Sequence, residues 1–293
     1  MTTNTTDRKT VRGVFEPGSE HWVGDGFPVR NLFPSNGLVQ QMDPFLMLDY
    51  AGPVEFPPAQ HPKGVGEHPH RGFETVTIAY QGAVAHRDSS GSAGVIYPGD
   101  VQWMTAASGV VHEELHEREF SLRGGMFEMV QLWVNLPAAH KMSKPGYQAI
   151  ASGQIPSVPI GEGATARVIA GELPGAKGPA QTFTPINVWD LRLSPGASAA
   201  LPLPAGHNAS IVLLRGSVTV NGAAADAGPR LILLSREGQS AVVEASADSL
   251  LLVLTGEPID EPVASYGPFV MNTQAEIMQA IADYRAGRMG RLS

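Results

Sequence analysis

Two short residue pairs carry the chemistry this chain could do: His68-Pro-His70 and His112-Glu-Glu114. Residues two apart on a strand project from the same face, roughly 6.6 Å apart along the chain. Each pair can therefore aim two donor groups at one point. If two such strands face each other across a barrel, three imidazoles and one carboxylate meet at a single ion. The spacing thus predicts a mononuclear metal site held by His68, His70, His112 and Glu114 inside a small β-barrel. A lone HxH pair is more often surface decoration. Here six of the nine histidines, His61, His68, His70, His86, His112 and His116, fall within residues 61–116, and both pairs sit in strand-like segments.

The chain has no cysteine. Disulfides, Fe–S clusters and thiolate sites are excluded, and any metal must rest on histidine and carboxylate. A closed tetrahedral zinc site could use this set. Three histidines and a carboxylate equally suit an octahedral ion with two positions open, the ligand style of non-haem Fe(II) oxygen chemistry. Fe(II) leads, and Mn, Ni, Co, Cu or Zn are compatible. Glu74 is in phase with His70 on an ideal strand and is the alternative carboxylate ligand. His86 is expected to support a ligand from behind, or to be an ordinary core histidine. His61 and His116 read as loop or surface residues, Trp103 and Trp133 as core, and Glu113 should point away if Glu114 points in.

These residues must be positioned by strands. The chain has 33 Gly and 24 Pro among 293 residues and only short apolar runs, which predicts many short strands and tight turns. Residues 51–67 read as a Pro/Gly-broken loop over the barrel mouth. Residues 74–80 alternate cleanly, with Val76, Ile78 and Tyr80 on one face. Residues 83–87, 94–97, 101–104, 110–114 and 127–136 follow as strands separated by turn signals such as Pro98-Gly99-Asp100. Residues 1–10 are polar and read as a loosely held tail.

The expected boundaries are a metal-binding barrel over 1–140, a linker over 141–165, a second barrel over 166–270, and a helix with tail over 271–293. Leu214-Arg-Gly-Ser-Val-Thr219 resembles Tyr80-Gln-Gly-Ala-Val-Ala85 at an offset of 134. At that offset Pro202 and Pro204 stand where His68 and His70 do, so the second barrel should lack metal ligands. The helix is signalled by a capping box, Thr273 to Glu276, ahead of Ile277, Ile281 and Tyr284. The net charge of −8 argues against a direct grip on nucleic acid or an anionic membrane. No run approaches the ~18 apolar residues of a membrane span, and the N-terminus lacks an apolar signal core. A cytoplasmic location is expected.

HPHRGFETVT (68–77), PGDVQWMTA (98–106), SGVVHEE (108–114), QLWVNLP (131–137) and GPFVMNT (267–273) together resemble the pirin family of the cupin superfamily. The resemblance spans nearly the whole chain. It implies an all-β bicupin, two antiparallel jelly-roll-like barrels with a short C-terminal helix, and a usually iron centre on His68, His70, His112 and Glu114. The general cupin pattern places a histidine shortly after the Pro-Gly turn. Here the next one is His112, which is typical of pirins and favours Glu114 over Glu74. Two function classes follow from the resemblance. One is quercetin 2,3-dioxygenase chemistry: the metal would bind the flavonol's 3-hydroxyl and carbonyl oxygens, Glu114 would act as the general base, and O2 would open the ring with release of carbon monoxide. The other is a non-enzymatic, metal-dependent coregulator of a transcription factor or metabolic enzyme.

Overall fold

A computed structural model describes residues 7–33, 37–226 and 228–292. Antiparallel strands dominate, and the longest helix is Gln274–Arg285. No helix among the described residues is long and apolar enough to cross a membrane. Two compact units emerge. One takes in Met1–Gly18, Leu32–Pro44 and Gly153–Ile259; the other takes in Ser19–Asn31, Phe45–Ser152 and Asp260–Ser293.

In the unit that carries the histidines, strands Phe73–Gln81 and Gly125–Asn135 sit side by side in a seven-stranded sheet, flanked by Val101–Thr105 and Phe45–Phe56. Facing them is a four-stranded sheet in the order Gly64–His70, Val110–His116, Val84–Asp88, Ala93–Ile96. The alternating 74–80 segment forms a strand as its pattern requires. The 51–67 segment departs from expectation. The 45–56 strand pairs with 125–135 along most of its length, and 64–70 pairs with 110–116. Pro53 is accommodated because the register shifts between Phe127 and Met129, beside it; a proline tolerates a strand where a ladder bond is already interrupted. Part of this barrel is closed by apolar packing, with Phe27, Phe56, Phe120, Phe127 and Met129 buried together. The interior around Glu114 is instead polar.

The other unit repeats the strand order. Residues 198–202, 240–245, 218–220 and 223–225 form its four-stranded sheet. Cross-strand pairing matches Leu201 with Ala241 as it matches His68 with His112. Leu201, Leu203, Ala241 and Val243 all lie in one aliphatic core. The expected correspondence with Pro202 and Pro204 is therefore one residue out of phase, and on a strand one residue is the difference between inside and outside. Neither of the potential metal-ligand groups among the described residues falls in this unit.

The N-terminus also differs from expectation. Residues 1–6 of the expected tail lie outside the described residues, but residues 7–10 are tied down. Lys9 is buried, and its Nζ donates to the carbonyls of Ser235 and Arg236. Val11–Phe15 pairs with Arg230–Leu234, so this first strand serves the 153–259 unit rather than the histidine-bearing one. Sequence order suggests a barrel over 1–140; pairing assigns its opening strand elsewhere.

The helix begins as its sequence demands. The Thr273 hydroxyl accepts from the Glu276 N–H, and the Glu276 carboxylate accepts from the Thr273 N–H. Its buried face, with Ile277 and Ala280, packs with Phe269, Met271 and Val111.

Candidate metal centre

Antiparallel pairing sets His68 directly opposite His112. Their ring centroids lie 4.2 Å apart, and that of His70 is 4.8 Å from each. The nearest donor atoms of the three rings fall within 4.8 Å of one another. His112 also belongs to a second group of the same tightness, with His86 and Glu114. The two groups share one ring, and all five side chains belong to the four-stranded sheet.

The hydrogen bonds show which ring atoms are free. His68 Nδ1 lies 2.8 Å from the Gly66 carbonyl, and His70 Nδ1 lies 3.3 Å from the Pro268 carbonyl. A carbonyl can only accept, so each Nδ1 carries the proton and each Nε2 keeps a lone pair. His112 Nδ1 contacts His86 Nδ1 at 3.4 Å, while His112 Nε2 is fully buried with no hydrogen-bond partner. An orphaned nitrogen at this depth needs a reason to exist. Burial, reinforced by the neighbouring histidines, holds His112 well below the usual imidazole range; burial, then His68, does the same to His70. Both rings are neutral, the form that ligates a cation.

Glu114 is buried. Gln131 Nε2 donates to one oxygen at 2.8 Å; the Thr77 hydroxyl at 3.0 Å and Gln102 Nε2 at 3.3 Å serve the other. All three donors reach across from the seven-stranded sheet, so Glu114 lies between the sheets. Glu113, one residue along, points outward to Arg87.

Glu74 does not join either group. Its carboxylate accepts from the Thr105 hydroxyl at 2.7 Å. Thr77, three residues along the strand, points the opposite way and reaches Glu114, as alternation requires. His86 lies behind His112 and is also linked to Asp88 at 3.2 Å. His61 is exposed. His116 is not a surface residue: it is buried in a cage of Phe27, Phe56, Phe120 and Phe127, with Nε2 donating to the Gly26 carbonyl. Trp103 is buried core, while the half-buried Trp133 packs its ring 5.3 Å from His70 and 4.2 Å from Phe73.

The strand that carries His68 and His70 is held from outside by residues whose role the sequence reading did not identify. Arg71, adjacent to His70, donates to the Ser108 carbonyl and to Asp283 on the helix, both at 2.7 Å. The Arg71 N–H and His70 Nδ1 share the Pro268 carbonyl. Gly72 has φ +90°, and a Cβ there would lie 1.9 Å from the Val270 carbonyl oxygen, so only glycine fits. The visible signal was the HRG string itself. Nothing in the sequence pointed to Thr77, Gln102 or Gln131.

Three clustered imidazoles, two of them buried, beside a buried carboxylate in one barrel of a two-barrel chain are the mark of a bicupin whose side chains could hold a metal ion. The family profiles agree in detail: that described as pirin matches residues 26–134, and that described as the pirin C-terminal cupin domain matches residues 188–290. The chain belongs to the pirin family. It is 54% identical to a Pseudomonas aeruginosa protein named a candidate quercetin 2,3-dioxygenase, over 97% of this chain and 99% of that one. It is 40% identical to pirin of Homo sapiens, over 86% of this chain and 84% of that one. Among solved structures, quercetin 2,3-dioxygenase from Acinetobacter baumannii superposes with a TM-score of 0.94 at 53% identity, covering 97% and 99% of the two chains.

Proposed function

We propose that this protein holds one mononuclear ion, Fe(II) foremost, on His68, His70, His112 and Glu114, and uses it to open a flavonol-like aromatic substrate with O2. The observation that carries the reading is the orphaned His112 Nε2, buried beside two rings whose Nδ1 atoms are both occupied. The same donor set suits Mn, Ni, Co, Cu or Zn. When bound, the ion supplies a Lewis acid and a template for oxygen ligands.

The chain's own residues do the rest. The backbone carbonyls of Gly66 and Pro268 aim His68 and His70. His68 is the most exposed of the set, so a substrate oxygen reaches the centre past that ring. Glu114 is the base for the flavonol hydroxyl. The amides of Gln102 and Gln131 steady it by hydrogen bonds, one to each oxygen. Trp133 offers an aromatic face beside His70 for a flat substrate. The close relatives named for quercetin chemistry favour this substrate class.

A second reading, a metal-dependent coregulator binding a transcription factor or metabolic enzyme, draws on a different observation. The relative from Homo sapiens is named pirin and not for quercetin chemistry. The deciding experiment is oxygen uptake by Fe(II)-loaded protein on adding quercetin, with His112→Ala as control. Uptake that needs both iron and His112 supports the dioxygenase. No uptake with iron still bound moves the function to another substrate or to the second reading, and a His112→Ala protein that keeps stoichiometric metal overturns the ligand set.

A further inference from the structure

Behind the ligand His112 lies a chain of polar groups that the proposed chemistry does not use. Asp88 Oδ1 accepts from the Ser90 N–H at 2.8 Å, the Ser90 hydroxyl at 2.6 Å and the Ser92 N–H at 3.1 Å. Asp88 is buried, and three donors converge on this one oxygen. It is a carboxylate, able only to accept. Its other oxygen, Oδ2, faces His86 Nε2 at 3.2 Å, so that nitrogen must carry the proton. In the Nε2–H tautomer His86 presents a lone pair at Nδ1, and the group 3.4 Å away is His112 Nδ1. With the single His86 proton on Nε2, one assignment satisfies the series: His112 donates from Nδ1, and its Nε2 is bare.

The series is held rigid. His112 pairs with Asp88, and Glu114 with His86, in adjacent antiparallel strands. The Tyr147 ring stacks on His86 at 5.1 Å and 22°. It fits there because residue 94, opposite His86 in the sheet, is glycine, where a Cβ would come 2.7 Å from the Tyr147 hydroxyl.

We propose that Asp88 and His86 act in series as positioning residues, fixing the proton of His112 on Nδ1 and so presenting an unprotonated Nε2 to the ion. The proposal rests on His112 being a ligand. A buried neutral histidine has two tautomers, and the wrong one points an N–H at the cation; the Asp88–His86 pair removes that choice before metal arrives. Outer partners of ligating histidines commonly change metal affinity by roughly 10–100-fold.

Asp88→Asn provides a pointed test. The three serine donors hold the asparagine oxygen where Oδ1 now sits, which turns its NH2 toward His86. His86 Nε2 must then accept, its Nδ1 must donate, and His112 is driven to the Nε2–H tautomer. Long-range 1H–15N correlation on metal-free, histidine-labelled protein reads the tautomer directly. Competition with a chromogenic chelator, using Zn(II) alone as probe, gives the affinity. The expected result is His112 Nδ1–H in the parent, Nε2–H in Asp88→Asn, and binding weakened roughly 10–100-fold. An unchanged tautomer, or affinity within about twofold of the parent, overturns the proposal. His86→Gln should restore the order, since an amide can accept from His112 and donate to Asp88, whereas His86→Leu should not. If Asp88→Asn fails to fold, equal Zn(II) affinity of those two variants overturns the proposal by itself. His112→Ala separates the levels: retained metal there sinks the ligand set, and lost metal with an indifferent Asp88→Asn sinks only the series.

Discussion

Glu74→Gln is the perturbation whose size can be worked out from the structure. Glu74 is 1% exposed and pushed up to about 7, by burial above all, with the Thr105 hydrogen bond acting in the opposite direction. An unfolded chain releases this proton near pH 4.5. Between those values the folded protein binds a proton that the unfolded chain has lost, so stability falls as pH rises across the window and levels off above it. At about 1.4 kcal/mol per unit, the span amounts to about 3 kcal/mol. Glutamine has the same shape, keeps an oxygen for the Thr105 hydroxyl and does not titrate. The stability difference between the variant and the parent should therefore move in the variant's favour by about 3 kcal/mol from pH 4.5 to pH 7.5. Urea unfolding at a series of pH values measures that difference directly, whatever fixed cost the extra N–H groups impose. A difference that stays flat across the window refutes the argument, because Glu74 would then titrate like an exposed carboxylate. The same protein should retain stoichiometric metal. Loss of the ion would put Glu74, not Glu114, in the carboxylate position.

Two further outcomes follow from the contacts around the ligand strand. Asp283 is pulled down to about 2, first by the Arg71 hydrogen bond. Its contribution is present above about pH 4 and lost as pH falls toward 2. Asp283→Asn should cost roughly 1.5–3 kcal/mol at neutral pH, the worth of a hydrogen bond to a charged group, and should flatten the acid arm of the stability profile; an unchanged profile would show that Arg71 finds another partner. Gly72→Ala places a methyl 1.9 Å from the Val270 oxygen at a positive φ, so melting should fall by the equivalent of roughly 2 kcal/mol or more. Parent-like thermal unfolding of that variant would mean the 264–271 hairpin can retreat from the ligand strand.

Local patterns that repeat along the chain were readable; properties that depend on a partner from a distant segment were not. Alternation in 74–80 and the apolar run 127–136 announce strands because each residue's face is set by its neighbours in sequence. The Thr273–Glu276 box announces a helix for the same reason. Residues 51–67 misled because Pro and Gly weaken a strand only on average, and a register shift beside Pro53 absorbs the missing donor. His116 read as surface because nothing local says that Phe27, Phe56 and Phe127, far away in sequence, will enclose it. Asp88 was within reach: His86-Arg-Asp88 has the same two-residue spacing as the recognised pairs, but a single carboxylate after a single histidine carries little weight alone. Gln102 and Gln131 had no signal, since an amide on a strand is as often solvated as it is aimed at a buried carboxylate.

The two barrels divide the work of one fold. At equivalent cross-strand positions one interior carries His68 opposite His112 and the other Leu201 opposite Ala241. Around the histidines the first barrel spends its interior on Thr77, Gln102, Gln131 and Glu114, and each must be hydrogen-bonded to be tolerated there. The second fills the same space with aliphatic side chains, each large one contributing roughly 1.5–3 kcal/mol by burial. A barrel that keeps a bare nitrogen and a hydrogen-bonded carboxylate in its interior forgoes that stabilisation. Histidines placed at 201, 203 and 241 would be in phase with the three of the first barrel, but they would meet aliphatic side chains in place of the carboxylate and amides found around Glu114.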